Sequence, residues 1–198
     1  MARPKAFDRT ATLDRAMTLF WRQGYEATSL TDLERHLGIG RQSIYDTFGN
    51  KLDLYCLALD RYSAVPVAYL VGSLQTGGAG AIKHFFERLI AYQAQPNPPA
   101  CFMVGAAIEM AQKHPLVGRR VAEHLRRLEA GFLAAYSRGR AAGELEGTSM
   151  EPEAAARLLT CATLGLLVAA KAQVPPAILR HTAGAALEAV GIPGSFDS

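Results

Sequence analysis

The segment TSLTDLERHLGIGRQSIYDTFGNK, residues 28–51, places the tightest constraint on the fold, because it contains two short helical patterns separated by glycines. Apolar residues at helical spacing give both patterns an inward face: Leu30, Leu33, Leu37, Ile39, Ile44 and Phe48. Either Thr28 or Ser29 can cap the first helix, and Gly38 ends it after about two turns. The glycines do not form a dinucleotide-binding fingerprint, since no strand precedes them and the third glycine is missing.

A longer helix precedes this segment and another follows it. The first is predicted from Leu13, Ala16, Met17 and Phe20 and ends at Gly24, while the fourth helix begins after Asn50 as its cap. Two short helices on a glycine turn, supported by a longer first helix, match the helix-turn-helix pattern. In that arrangement the second short helix enters a DNA major groove.

The outward side chains of the second short helix suit contact with DNA. Arg41 can donate two hydrogen bonds to guanine, Gln42 can pair with adenine, and Ser43 can contact several base edges or a phosphate. The hydroxyl groups of Tyr45 and Thr47 and the positive charge of Lys51 are suited to contact with DNA phosphates.

The rest of the chain predicts an all-α protein. Helical patterns cover Ala81–Gln95, Cys101–Gln112, Pro115–Ala142, Glu151–Gln173 and Pro175–Val190. No alternating strand with hairpin turns and no repeat is found. We predict a small helix-turn-helix domain at residues 1–55 and a larger helical domain at residues 56–198.

Composition narrows the class of protein further. The net charge of +3 neither requires nor excludes a nucleic-acid partner. Three scattered cysteines and no apolar leader indicate a reducing, cytoplasmic location. The apolar run Leu158–Ala170 is shorter than the roughly 18 residues of a spanning helix, so no membrane segment is expected. No metal or cofactor motif is present.

Residues 9–55 resemble the DNA-binding domain of the TetR family of transcriptional regulators. The resemblance rests on the Phe20, Gly24, Tyr25 and Thr28 series, on Gly38-Ile39, on Ile44-Tyr45-x-x-Phe48 and on Lys51-x-x-Leu54, in order and at family spacing. It implies nine or ten helices, a dimerising regulatory domain and an effector pocket inside that domain.

The same resemblance implies a set of DNA contacts, and the helix N-termini near Thr28 and Lys51 also favour phosphates. The predicted DNA-binding residues are Thr28, Ser29, Arg41, Gln42, Ser43, Tyr45, Thr47 and Lys51. Thr28 is expected to cap the second helix and touch a phosphate. Gly40 departs from the family's capping Ser or Thr, and Thr47 replaces a common His or Tyr. Arg3 and Lys5 could form an arm reaching DNA or a terminal tail.

Apolar stripes on the middle helices are core residues, of which the family places a subset around the effector. The candidates are Phe85, Phe86, Leu89, Tyr92, Cys101, Phe102, Met103, Met110, Phe132 and Tyr136. Cys101 opens a helix whose dipole would lower the thiol pKa, so it is either an oxidant sensor or a small buried thiol.

Small and aliphatic residues crowd the last two helical patterns, ARLLTCATLGLLVAA and AILRHTAGAALEAV, which favours packing across a twofold axis. We therefore expect a homodimeric, ligand-responsive regulator, read as a repressor, that binds double-stranded operator DNA and a small apolar effector. The alternatives are a small-molecule-processing enzyme, which lacks a recognisable catalytic set, and a helical protein-interaction adaptor, against which the outward polar residues speak.

Overall fold

The computed structural model describes residues 7–95, 100–145 and 147–196, with only the backbone of Pro66. The predicted all-α architecture is confirmed, and these residues contain no strand. The helices are α1 Arg9–Gln23, α2 Leu30–Leu37, α3 Arg41–Phe48, α4 Lys51–Tyr62, α5 Ala68–Val71, α6 Ala79–Gln93, α7 Phe102–Glu109, α8 Pro115–Ala141, α9 Pro152–Lys171 and α10 Pro176–Ala189.

The chain divides into two compact units by its internal contacts. The first unit contains the chain up to Val65 together with Cys101–Val121, and the second contains Pro66–Ala100 and the chain from Ala122 onward. The first unit thus holds α1–α4 and α7, with the beginning of α8. The predicted division after residue 55 stays a prediction.

Local capping explains where the first helices begin. The Asp8 carboxylate accepts hydrogen bonds from the amides of Thr10 and Ala11 at the start of α1. Ser29 forms a reciprocal capping box with Asp32 at the start of α2. The expectation that Thr28 caps α2 was therefore wrong, because its buried hydroxyl donates to the Gly24 carbonyl at 2.6 Å instead.

Aromatic rings hold the first unit together. The Tyr55 ring meets Phe20 edge-on at 5.1 Å and Phe102 at 5.3 Å. The Phe102 ring also meets Tyr62 at 5.7 Å. Since Phe102 begins α7, a segment far along the chain completes the core beneath the N-terminal helices.

The core of the second unit lies between α6, α8, α9 and α10. The Phe132 ring contacts Phe85 edge-on at 5.0 Å and stacks on Phe86 at 6.0 Å. Arg138 fastens the link before α6 by donating to the carbonyls of Leu74 and Gly77.

Two segments differ from the sequence-based expectation. After α4 the backbone widens into a π turn over Ser63–Val67, where Pro66 offers no amide hydrogen to the helical ladder. The helix α7 ends at Glu109, earlier than predicted, because the chain turns before Pro115.

The helix α9 corrects the argument about membrane segments. The apolar run Leu158–Ala170 is short, but the whole helix Pro152–Lys171 has 20 residues and is long and apolar enough, by length and composition, to cross a membrane. Length and composition therefore do not tell whether α9 is a membrane-spanning helix or a core or interface helix. Its buried side, which includes Leu159 and Leu166, belongs to the core cluster that α10 shares.

Candidate DNA-binding site

The helix α3 is set against α2 by a tight glycine turn. Gly38 has φ +69° and ψ 25°, the left-handed conformation that ends a helix and that residues with a Cβ rarely adopt. Ile44 and Phe48 are buried on the inner side of α3. The opposite side of this short helix is thereby left toward solvent.

The start of α3 lacks a cap from its own N-cap residue, since Gly40 has no side chain. The Glu34 carboxylate of α2 substitutes for that cap, because its Oε1 accepts the backbone N–H of Arg41 at 2.8 Å. Its other oxygen, Oε2, lies 3.3 Å from Nη2 of the Arg41 guanidinium. One carboxylate therefore holds both the backbone and the side chain of Arg41.

Gln42 is also held by an acidic neighbour. Its Nε2 donates to Oδ1 of Asp46, one turn later in α3, at 2.8 Å. A carboxylate accepts and does not donate hydrogen bonds, so this contact fixes the amide nitrogen of Gln42 toward Asp46.

Tyr45 is 39% exposed, more than most large apolar side chains among the described residues, and it shares the solvent side of α3 with Arg41 and Gln42. Ser43 is partly buried. The structure thus brings Arg41, Gln42 and Tyr45 together on one exposed face, as expected from the sequence.

Four other predicted contacts have different surroundings. Thr28 is fully buried with its hydroxyl bonded to Gly24, and the Thr47 hydroxyl is buried without a hydrogen-bond partner, so neither hydroxyl is presented to solvent. Lys51 lies with its ammonium 4.2 Å from the centroid of the Tyr25 ring, a cation–π contact that fixes the charge at the start of α4. Ser29 is exposed, and its side chain serves the capping box of α2.

A further carboxylate supports the turn between α1 and α2. Glu109, at the end of α7, accepts the backbone N–H of Tyr25 at 3.0 Å and that of Glu26 at 2.7 Å. Gly24, at φ +84°, leaves room for it, because a Cβ there would lie 2.9 Å from the Glu109 carboxylate. A few residues later, Lys113 pairs with Glu26 at 3.6 Å.

Three functional neighbours, Glu34, Asp46 and Glu109, were not predicted. The Gln42–Asp46 pair has the i, i+4 spacing of a helix and was readable from the sequence. Glu34 contacts Arg41 across a turn, and Glu109 contacts Tyr25 across more than eighty residues of chain. Helical periodicity gives no information about contacts of either kind. The predicted arm residues Arg3 and Lys5 lie outside the described residues.

The residues predicted to line an effector pocket do not all belong to one compact unit. Those in the second unit are Phe85, Phe86, Leu89, Tyr92, Phe132 and Tyr136, and those in the first are Cys101, Phe102, Met103 and Met110. Except for the partly buried Tyr92, all are buried. Their role as a pocket stays a prediction.

Cys101 corrects one expectation. Burial raises the pKa of its thiol, and this outweighs the hydrogen bonds from the Val104 amide, the Tyr62 hydroxyl and the Met103 amide. The expected lowering of that pKa by the dipole of α7 was therefore wrong. The thiol environment favours the small buried group over the reactive thiolate.

Metal binding finds no support in the described ranges 7–95, 100–145 and 147–196, where no cluster of three or more His, Cys, Asp or Glu side chains could hold an ion.

A short helix with an exposed polar face, set by a glycine turn on two supporting helices, defines a helix-turn-helix DNA-binding protein. Residues 13–56 match the family model "Bacterial regulatory proteins, tetR family", and residues 78–186 match "Tetracyclin repressor-like, C-terminal domain". The chain belongs to the TetR family of DNA-binding transcriptional regulators.

Relatives extend over most of the chain. The HTH-type transcriptional regulator YezE of Bacillus subtilis (strain 168) is 36% identical over 174 residues, 86% of this chain and 90% of its own. The HTH-type transcriptional repressor ComR of Escherichia coli (strain K12) is 39% identical over 106 residues, 52% of this chain and 50% of its own.

Solved structures are similar over nearly the whole chain. A cysteine mutant of the TetR family regulator CifR, complexed with a 26 bp double-strand operator, has a TM-score of 0.83 at 29% identity and covers 96% of this chain and 100% of its own. Reduced E. coli NemR shares the fold, with a TM-score of 0.84 at 20% identity, covering 94% of this chain and 98% of its own.

Proposed function

We propose that this chain is a cytoplasmic, ligand-responsive repressor that binds a palindromic operator as a homodimer. The observation that carries the proposal is the joint exposure of Arg41, Gln42 and Tyr45 on α3. In this reading Arg41 and Gln42 read base edges in the major groove, while Tyr45 and Lys51 hold the phosphate backbone. Ser43 and Ser29 supply further polar contacts, and the buried hydroxyls of Thr28 and Thr47 are left out of the set.

The dimer is proposed to form through α9 and α10. Both helices keep large apolar side chains in solvent, with Val168 48% and Ile178 54% exposed. Cys161 and Gly165 extend the exposed side of α9 with small residues that allow a close approach of helices. A twofold axis there would give two copies of α3, which on operator DNA would lie roughly 34–36 Å apart in successive major grooves.

The effector is proposed to be a small apolar molecule bound in the C-terminal domain. Support comes from the family model over residues 78–186 and from the aromatic and methionine-rich middle helices. The repressor assignment is supported by the relative ComR, an HTH-type transcriptional repressor. To release the operator decisively, the effector must bind the non-DNA state on the order of 10⁴-fold better.

The test begins with selection of binding sites by the purified protein from random duplex DNA. We expect an enriched sequence with twofold symmetry, bound with a stoichiometry of one dimer per site. Arg41→Ala should relax that preference at one position of the site while remaining folded. A wild-type protein that enriches no sequence would contradict the proposed function.

Effector binding is tested separately by native mass spectrometry of freshly purified protein, followed by titration of any carried molecule into the operator complex. Release of the operator at concentrations that saturate the protein is the expected result. A tightly bound molecule that leaves operator affinity unchanged would contradict the ligand response and leave the DNA-binding role intact.

A further inference from the structure

The carboxylate of Glu34 has two partners at the start of α3. It accepts the Arg41 amide at 2.8 Å, and it approaches the Arg41 guanidinium at 3.3 Å. The side chains are 51% and 32% exposed for Arg41 and Glu34, so the pair lies at the protein surface. An ion pair of this exposure contributes little to the free energy of unfolding. The main effect of the Glu34–Arg41 pair is to orient the Arg41 guanidinium.

We propose that Glu34 is a specificity-determining residue of the operator contact, which rests on the proposed DNA-binding function. An arginine has five N–H donors, and the contact with Glu34 occupies the Nη2 group alone. The donors that remain are enough for a forked contact with guanine O6 and N7. Glu34 thus orients the Arg41 side chain before DNA binds and leaves it able to contact a base edge.

The negative charge of Glu34 also acts against non-specific binding. A phosphate drawn to Arg41 must approach a carboxylate that already neutralises this arginine, and like charges brought together are unfavourable. A guanine edge presents neutral acceptors and meets less of this repulsion. Glu34 therefore lowers affinity for arbitrary DNA more than affinity for the operator.

The variant Glu34→Gln separates these effects from helix capping. Glutamine keeps an oxygen that can accept the Arg41 amide, but it removes the charge. Glu34→Ala removes both, and Glu87→Gln makes the same charge change on α6 of the other compact unit. Dissociation constants for the selected operator and for a scrambled duplex are measured across a series of salt concentrations, with the melting temperature of each variant.

We expect Glu34→Gln to melt close to wild type and to lower the ratio of specific to non-specific affinity at least about fivefold, the smaller end of what one good base contact supplies. On scrambled DNA the slope of log K against log salt should steepen by about 0.9, the effect of one more phosphate contact. Glu87→Gln should change neither quantity.

The double variant Glu34→Gln/Arg41→Ala shows whether Glu34 acts through Arg41. If it does, Glu34→Gln has no further effect on the affinity ratio once Arg41 is removed. A Glu34→Gln protein that keeps the wild-type ratio, or that weakens both duplexes equally while losing thermal stability, would overturn the proposal. A wild-type protein with no sequence preference would instead overturn the proposed function itself.

Discussion

At the scale of single residues, the proposed DNA contacts on the exposed face of α3 and at the start of α4 are of two kinds. Arg41 stands on the exposed side of α3, held by Glu34, where a base edge can reach it. Lys51 begins α4 with its charge over the Tyr25 ring, a position suited to a phosphate. The two cations should therefore affect operator binding in different ways.

Arg41→Ala should relax the base preference at one operator position, at a cost of about 1–3 kcal/mol for the preferred base. The measurement is a titration of operators that carry each of the four bases at every position. Identical losses on the operator and on scrambled DNA would show that Arg41 does not read sequence.

Lys51→Ala serves as the matched comparison. It should weaken all duplexes by a similar factor and reduce the salt slope by about 0.9, because one phosphate contact is lost. A change of base preference in this variant would contradict the assignment of Lys51 to the backbone.

His124 gives a prediction about pH. Burial, and secondarily the charge of Arg127, lowers its pKa from 6.5 to about 4. Between these values the unfolded chain binds a proton at this site that the folded chain excludes, so the contribution of His124 makes the free energy of unfolding fall as the pH drops from 6.5 toward 4. His124→Gln should remove that component. Urea unfolding of both proteins at several values of pH between 7 and 4.5 tests it, and parallel pH profiles would contradict it.

At the scale of secondary-structure elements, α7 supports the turn between α1 and α2. Glu109 accepts two backbone amides there, and within the described part of the chain no other side chain accepts either amide. Because the Tyr25 amide is partly buried, the loss of its acceptor carries a desolvation penalty.

Glu109→Ala should lower the free energy of unfolding by about 1–3 kcal/mol, and Glu109→Gln, which retains one good acceptor, should lower it less. At this chain length each kcal/mol corresponds to roughly 2–4 °C in melting temperature. Glu87→Ala, which removes a partly buried carboxylate of α6 that pairs with His84, is the control. Equal melting temperatures for the Glu109→Ala and control proteins would show that the contact does not stabilise the turn.

Sequence patterns predicted the elements better than the contacts between them. Periodicity and caps located α1–α4, because each signal lies within a few residues of the helix end it specifies. The inward Thr47 hydroxyl and the raised pKa of Cys101 were missed, since both depend on burial by the tertiary fold. Glu34 and Glu109 were missed for a related reason, as their partners lie on other elements.

At the scale of the whole molecule, the proposed dimer predicts the consequence of a charge on α10. Ile178→Glu should give a monomer, and operator affinity should fall with it because one α3 alone covers half a site. Ile108→Glu is the matched control, since Ile108 is 79% exposed on α7 of the other unit. Sedimentation and operator titration provide the two readouts. A dimeric Ile178→Glu protein would place the interface elsewhere.

The position of Phe102 has a practical consequence for transferring the N-terminal helix-turn-helix region to another regulator. The Phe102 ring contacts both Tyr55 and Tyr62, which lie 40 or more residues earlier in the chain. A fragment cut at Val65 would leave those two rings without their cover, and the Tyr25 and Glu26 amides without Glu109. A functional chimaera must therefore carry Cys101–Val121 along with the N-terminal helices, because both segments belong to one compact unit.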